Sequence, residues 1–527
     1  MRVLLLYPPK IYGRDIHTGI VSTTPYPPFL PIAIPILTAY LRAHGIEADQ
    51  DDLDVRVYYD NRFGDDPDLR VDLNPFDDRS RVFAYAAGAR DEEIESYTRR
   101  IIAKTDIEGY DLVGFSVVND AAFSGYGTIL AMARAIKEQS GTPVAVGGSL
   151  GPSHIKDFLE TGLVDYGFCV EAGEIPLIQL CRHLRDGSPA LEEVPHLRTM
   201  KDGRLLWNDL PYRARYSFIR PDFRGLPMHM YRYCARNREG RDVLMLPYLF
   251  VQGCVNNCIF CTNSGVKKFH IKPVSEVVSD LEAISEEFDA HSFFFLNSGV
   301  NPSYKYIDEL CDAILERGLK IRWSDCVNFT HMDRKLLKKL SRAGAMRLIF
   351  GLECASERML RYIGKHVPAD KTLEILRMSH ENGIWNEIEL IAGLPSEHDA
   401  DIADTIRFIR RTREYVQYYW LNKFMLIEDS RLMREPEKYG ITNIRSNLDE
   451  ALDTKTFKWA FDEIGGLTWE EKVAQINVSY DAINSETQKV NRRNNIHPLF
   501  YGFHNSTDKA AAMEMCREIC DRDFGTT

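Results

Sequence analysis

The chain has 527 residues, 44% of them apolar and 27% charged, which suits about two to four globular domains better than one core. A net charge of −12 disfavours a nucleic-acid partner, which needs a long basic stripe. Eleven cysteines, an odd number, behind no recognisable leader read as reduced thiols or metal ligands in a cytoplasmic protein.

From residue 1 to 190, strand and helix patterns alternate. The run from Arg2 to Tyr7 stops at Pro8-Pro9, too short for a leader's apolar core and the right length for a first strand. Residues 31–44 read as an apolar helix ended by Gly45; Pro31 and Pro35 break the only candidate for a membrane span nearby. Residues 60–91 are polar and rich in Asp and Arg, and read as an insertion with little core of its own. Further on, 111–117 is a buried strand and 126–139 a helix. Residues 143–148 form a strand ending in a glycine pair, 154–161 a short helix and 166–170 another strand. The expected fold class is α/β, beginning with a Rossmann-like, doubly wound parallel sheet over residues 1–190.

Residues 191–240 read as a linker without a sustained period. A second alternating series spans 241–435, with strands at 244–251, 292–296, 320–323, 347–350, 385–391 and 418–427. Helical patterns at 274–288, 304–317, 333–343, 369–382 and 401–412 lie between them. Six strand–helix units predict a partial (β/α)6 barrel of TIM type, whose chemistry sits at the carboxyl ends of its strands. Residues 436–527 read as a mainly helical region. There, Trp459, Phe461, Trp469 and Tyr480 are core residues, and Cys516 and Cys520 a buried helix stripe rather than a second metal site.

The most specific local feature is Gly253-Cys254-Val255-Asn256-Asn257-Cys258-Ile259-Phe260-Cys261, a C-x3-C-x2-C spacing directly after the first barrel strand. Three thiolates on one loop can hold three irons of a [4Fe–4S] cluster and leave the fourth for a small molecule. Structural zinc is the alternative, with His270 as a fourth ligand, although zinc sites usually arrive as paired C-x2-C units.

With Phe260 before its third cysteine, the triplet resembles the signature of the radical S-adenosylmethionine (SAM) superfamily. The resemblance implies that Cys254, Cys258 and Cys261 bind the cluster, that Phe260 lies beside it, and that the open iron chelates SAM. Phe350-Gly351-Leu352-Glu353-Cys354 resembles the family's Gly-x-Glu-Ser segment, with Cys in place of Ser, and would turn Glu353 toward SAM. Leu390-Ile391-Ala392-Gly393-Leu394-Pro395-Ser396-Glu397 resembles a fifth-strand segment ending in Gly-Leu-Pro-Gly-Glu, and would place Gly393 at the cofactor. Asn297-Ser298-Gly299 stands where a Gly-Gly-Glu segment meets the SAM amino group, and matches it poorly.

A Rossmann-like domain in front of such a barrel resembles the cobalamin-dependent branch of the family. The matching segments are Pro28-Phe29-Leu30-Pro31, Phe115-Ser116-Val117-Val118, Val146-Gly147-Gly148 and Glu171-Ala172-Gly173-Glu174. By this resemblance Ser116, Gly147, Gly148, Ser149 and Glu171 line the corrin. A front domain holding no cofactor, or another nucleotide, is the alternative. The Asp-x-His-x-x-Gly motif of many cobalamin proteins is missing, and Asp15-Ile16-His17-Thr18-Gly19, one residue short, makes His17 a loop histidine.

The implied activity is methyl transfer from methylcobalamin to a substrate carbon activated by the 5′-deoxyadenosyl radical, in a cleft between the two domains. A non-methylating rearrangement or cyclisation is the alternative. The implied partners are a small-molecule or natural-product substrate and an electron donor such as flavodoxin or ferredoxin. A tRNA methylthiotransferase would need three more cysteines in front, where residues 1–190 hold Cys169 and Cys181 alone. Asp325, Cys326, Asn328, Glu387, Glu389 and Glu428 are candidate pocket residues on the barrel rim, each more simply read as a satisfied polar group of the barrel.

Overall fold

The computed structural model describes residues 1–10, 30–117, 125–148, 150, 152–168, 173–210, 218–232, 244–262, 269–365, 367–428, 430–446 and 459–491. It divides into two compact units, Met1–Tyr231 and Arg232–Thr527.

The first unit runs β1 (Arg2–Tyr7), α1 (Ala33–Ala43), β2 (Glu47–Asp52), α2 (Leu53–Phe63), α3 (Arg79–Ala86), α4 (Glu92–Ile102), β3 (Leu112–Val117), α5 (Tyr126–Ser140) and β4 (Val144–Gly148). It continues through α6 (Pro152–Glu160), β5 (Tyr166–Phe168), α7 (Glu174–Asp186), β6 (Leu197–Lys201), β7 (Arg204–Trp207) and the short α8 (Met228–Arg232). Seven strands form one sheet in the order β2-β1-β3-β4-β5-β6-β7. The first five are parallel, and the order reverses between β1 and β3, which opens a crevice at the carboxyl edge. β1 is apolar from Val3 to Tyr7 because helices cover both faces of such a sheet.

Two expectations change here. The 191–240 stretch is not a structureless linker: β6 and β7 pair as an antiparallel hairpin that extends the sheet past β5, and the unit runs on to Tyr231. The polar 60–91 stretch does contribute core. Val71, Phe76, Val82, Tyr85 and Ala86 are buried with Leu4, Val113 and Ile129, spaced too unevenly along the chain to show a period.

The second unit contains β8 (Met245–Tyr248), β9 (Val251–Gln252), β10 (His270–Ile271), α9 (Val274–Phe288), β11 (Ser292–Phe295), α10 (Tyr304–Glu316), β12 (Arg322–Val327) and α11 (Arg334–Arg342). It proceeds through β13 (Ala345–Glu353), α12 (Glu357–Tyr362), α13 (Ala369–Glu381), β14 (Trp385–Ala392), α14 (Asp399–Thr412), β15 (Tyr418–Lys423) and α15 (Arg431–Arg434). It closes with β16 (Ile441–Ser446), β17 (Trp459–Glu463) and α16 (Trp469–Asn491). Six strands, β8 and β11 to β15, pair in sequence order and all in parallel, the partial barrel that the pattern predicts.

Side chains alternate across this sheet. Phe295 and Trp323 stack on the helix side, where the Trp323 indole donates to Ala343 O. Phe294, Cys326, Arg347, Gly351, Glu387, Glu389 and Trp420 share the inner side, away from the helices. The last strand does not lie open. Asn491, at the end of α16, accepts from Tyr419 N and donates to Tyr419 O, both at 2.9 Å, replacing the pairing that a further strand would supply. Beyond residue 436 the described chain is a hairpin of β16 and β17 plus one long helix, so the expected helical region also carries strand. Phe461 and Trp469 are buried there as expected core, Trp459 and Tyr480 only half-buried, and Cys516 and Cys520 lie outside the described residues.

Candidate functional site

The cysteine loop leaves the top of β9 under tight constraint. Asn297 Oδ1 accepts from both Phe250 N (3.0 Å) and Val251 N (2.8 Å), and its Nδ2 donates to Asp325 Oδ2 at 2.6 Å. Its amide is therefore spent on holding the approach to the loop. Within the loop, Ile259 N donates to Ile363 O (3.1 Å), Leu432 N to Ile259 O (2.9 Å), and Asn256 Nδ2 to Asn328 Oδ1 (2.7 Å). A Cβ on Gly364 would lie 2.7 Å from Asn257 O, so that glycine lets the end of α12 press onto the loop.

Cys258 is buried, whereas Cys254, Phe260 and Cys261 are partly exposed. Burial pushes the Cys258 thiol up to about 11, against the pull of the Lys365 ammonium, so a metal bound there would displace the proton to solvent. The donor set suits a cluster. Cys254, Cys258 and Cys261 stand on one short loop, and three thiolates are the donors that a cluster takes, one to each of three irons. His270, the suggested zinc ligand, sits in β10 opposite Gln252.

The end of β13 carries the second element. A register shift between Gly351 and Glu353 leaves Glu353 at φ +71°, a left-handed conformation worth roughly 1–3 kcal/mol of strain for a non-glycine residue. Lys365 holds it there, donating from Nζ to Glu353 Oε1 at 2.7 Å and to Gly351 O at 2.6 Å. Burial pulls the Lys365 ammonium down, but Glu353 and its other anionic neighbours outweigh this and keep it charged.

Below Glu353, the Trp385 and Trp420 indoles donate to Glu387 at 2.9 and 2.7 Å, and Arg347 Nε lies 3.8 Å from it. Asp325 accepts from Cys326 N at 2.7 Å besides Asn297, and burial drives its carboxyl far above the ordinary range. Asp325 and Glu387 are thus satisfied barrel groups. Asn328 belongs to the cysteine loop's support, and Glu428 lies half-buried after β15. Burial, then the like charge of Glu353, raise the Glu389 carboxyl to about 7, with Lys365 opposing.

At the end of β14, Gly393 and Ser396 adopt φ +83° and +62°, making a tight turn. Glu397 Oε2 accepts from Gly393 N at 2.8 Å and closes it. The turn is gripped from the C-terminal region. Lys472 Nζ donates to Leu394 O (2.8 Å) and pairs with Glu463 (2.9 Å), and Glu463 also accepts from Ser396 N (3.0 Å). Gly393 needs to be glycine because Ile476 of α16 occupies the place of its side chain.

In the first unit, β3 and β4 end together at the carboxyl edge. Ser116 is buried, Gly147 half-buried and Gly148 exposed at φ +109°. A Cβ on Gly148 would fall 2.2 Å from Val117 O, so only glycine lets the end of β4 lie this close to β3. Ser149, Glu171 and His17 lie outside the described residues. Sequence reasoning missed Lys365 and Lys472, which carry no spacing signal and reach the site by tertiary packing. Gly364, directly before Lys365, is the one local hint.

Residues 248–409 match the radical SAM superfamily. An uncharacterized methyltransferase of Pyrococcus horikoshii is 24% identical over 60% of this chain and 68% of its own length. The cytidylyl-2-hydroxyethylphosphonate methyltransferase of Streptomyces wedmorensis is 20% identical over 86% of this chain and 85% of its own length. The radical SAM methyltransferase TsrM of Kitasatospora setae, solved with tryptophan substrate and a SAM analogue, superposes with a TM-score of 0.60 at 17% identity. That match covers 95% of this chain and 90% of TsrM. The clamped cysteine triplet, at the head of six parallel strands, lies inside the stretch that matches the radical SAM superfamily.

Proposed function

We propose that the protein is a cobalamin-dependent radical SAM methyltransferase that moves a methyl group to a carbon of a small-molecule substrate. The observation that carries this reading is the pairing, in one chain, of the clamped cysteine loop with a flat, glycine-ended strand edge at the switch point of a parallel sheet. Cys254, Cys258 and Cys261 would hold the cluster; Glu353, Gly393 and Phe260 would face SAM; Ser116, Gly147 and Gly148, with Ser149 and Glu171, would support the corrin. When bound, these cofactors supply a carbon-centred radical and a methyl donor, with electrons from a donor such as flavodoxin or ferredoxin.

The chain's own part is positional. Asn297 and the ends of α12 and α15 fix the thiols, Lys365 fixes Glu353, and α16 fixes the turn at Gly393. TsrM was solved with tryptophan and the Streptomyces relative is named for a nucleotide-linked phosphonate, which supports a small-molecule acceptor without choosing one. No described helix is long and apolar enough to cross a membrane.

The test is anaerobic reconstitution with iron, sulfide and hydroxocobalamin. Iron at about four per chain, lost when any of the three cysteines becomes alanine, together with stoichiometric cobalt, is the expected result. Iron without tight cobalt refutes the cobalamin half and the methyl transfer with it.

A further inference from the structure

The inner face of the barrel sheet carries charges that the described residues do not balance. Its carboxylates on β13 and β14 are Glu353, Glu387 and Glu389, and the cations facing them are Arg347 and Lys365. Glu387 is taken up by two indoles and Arg347, and Glu353 by Lys365. Glu389 receives no hydrogen bond or ion pair from any described residue. On a strand whose neighbouring Ile388 and Leu390 are fully buried, Glu389 is partly accessible.

The space in front of it is also defined. Glu389 lies in register with Gly351 on one side and Trp420 on the other. A Cβ on Gly351 would sit 3.1 Å from both Lys365 Nζ and Glu353 Oε1 and 3.9 Å from Glu389 Oε2. The missing side chain thus leaves room where these three charged groups converge, with Cys326 close by on β12. Two of the three satisfy each other. A carboxylate withdrawn from water without a partner is unfavourable, and a ligand cation removes that penalty.

We infer that Glu389 binds a protonated nitrogen, an ammonium or guanidinium, of the methyl acceptor, which places the substrate among cationic small molecules. This rests on the methyltransferase reading. SAM also carries positive charge on its amino and sulfonium groups, so the test separates the two sources.

Reconstituted wild-type, E389Q and E389D holoenzymes are compared. The dissociation constant for SAM is measured by equilibrium dialysis. Methyl acceptance is followed with CD3-labelled SAM and a metabolite extract of the source organism, split on a cation exchanger at pH 5 into retained and unretained pools. The expected result is label in the retained pool. With the labelled acceptor purified from it, KM should rise about 10–100-fold in E389Q, the loss of one charge-assisted bond, with partial recovery in E389D. The SAM dissociation constant should stay within twofold.

Label confined to the unretained pool overturns the inference and leaves the methyltransferase intact. A tenfold weaker grip on SAM in E389Q reassigns Glu389 to the cofactor and overturns it as well. Normal iron and SAM binding with no label in either pool defeats the methyltransferase reading itself.

Discussion

Replacing Gly393 by alanine should break the contact between the C-terminal helix and the turn at the end of β14, by an amount that follows from the geometry. The new Cβ would lie 2.3 Å from Ile476 Cγ1, 2.9 Å from its Cβ and 3.0 Å from its Cα, at a backbone φ of +83°. The left-handed conformation contributes about 1–2 kcal/mol and overpacking about 1–3 kcal/mol, so G393A should lose about 2–5 kcal/mol. I476A alone should lose about 2–5 kcal/mol by emptying a fully buried site. In the double variant the closest clash is gone while the Cβ contact and the backbone strain remain. The alanine at 393 should then be less damaging by about 1–2 kcal/mol. Urea unfolding of the four full-length chains measures this, with SAM affinity recorded on the same reconstituted proteins. Equal penalties for G393A in both backgrounds, within about 0.5 kcal/mol, would show that Ile476 is not what demands a glycine and refute the reasoning.

Three further outcomes are expected. N297A strips the acceptor from two buried N–H groups and a partner from Asp325, so it should unfold earlier by about 3 kcal/mol or more and lose iron faster to a chelator; wild-type iron retention would contradict the loop's dependence on this amide. Burial and then Asp54 raise the Asp52 carboxyl to about 7, above its unfolded value, so stability is lost as pH rises from about 4 to about 7. D52N keeps an oxygen for the Val55 N–H and should therefore stabilise the chain more at pH 8 than at pH 5; a gain that does not grow with pH argues against a strained carboxylate. Glu389 must ionise to hold a cation, and it is faced by Glu353, Lys365, Glu387 and Cys326. Acceptor KM should accordingly fall as pH rises through about 7, and the dependence should vanish in E389Q.

Legibility from sequence followed the range of the interactions. The triplet at 254–261 and the strand at 385–391 were readable because ligand spacing and apolar runs are written in contiguous residues, while the run expected at 418–427 is strand only over Tyr418–Lys423. The hairpin at 197–207 was not, because Leu-Arg-Thr-Met-Lys alternates weakly and gains its partner only from β5. Asp325 and Glu387 looked like pocket residues since nothing in the sequence shows that an asparagine and two indoles already occupy them. Lys365 and Lys472 are single lysines in polar surroundings. Their burial against Glu353 and Leu394 is a property of the folded chain, and local pattern does not carry it.

Asn491 has a further consequence. A barrel of six strands has a free side, and the backbone of β15 on that side is a template for any extended peptide of suitable register. One carboxamide, delivered at the end of a long helix, closes that template at Tyr419. At Tyr419 the C-terminal helix therefore occupies the backbone groups through which another extended segment would pair. Cutting the chain just before residue 491 would leave the Tyr419 N–H and C=O without that carboxamide, while the rest of the helix could still cover the strand.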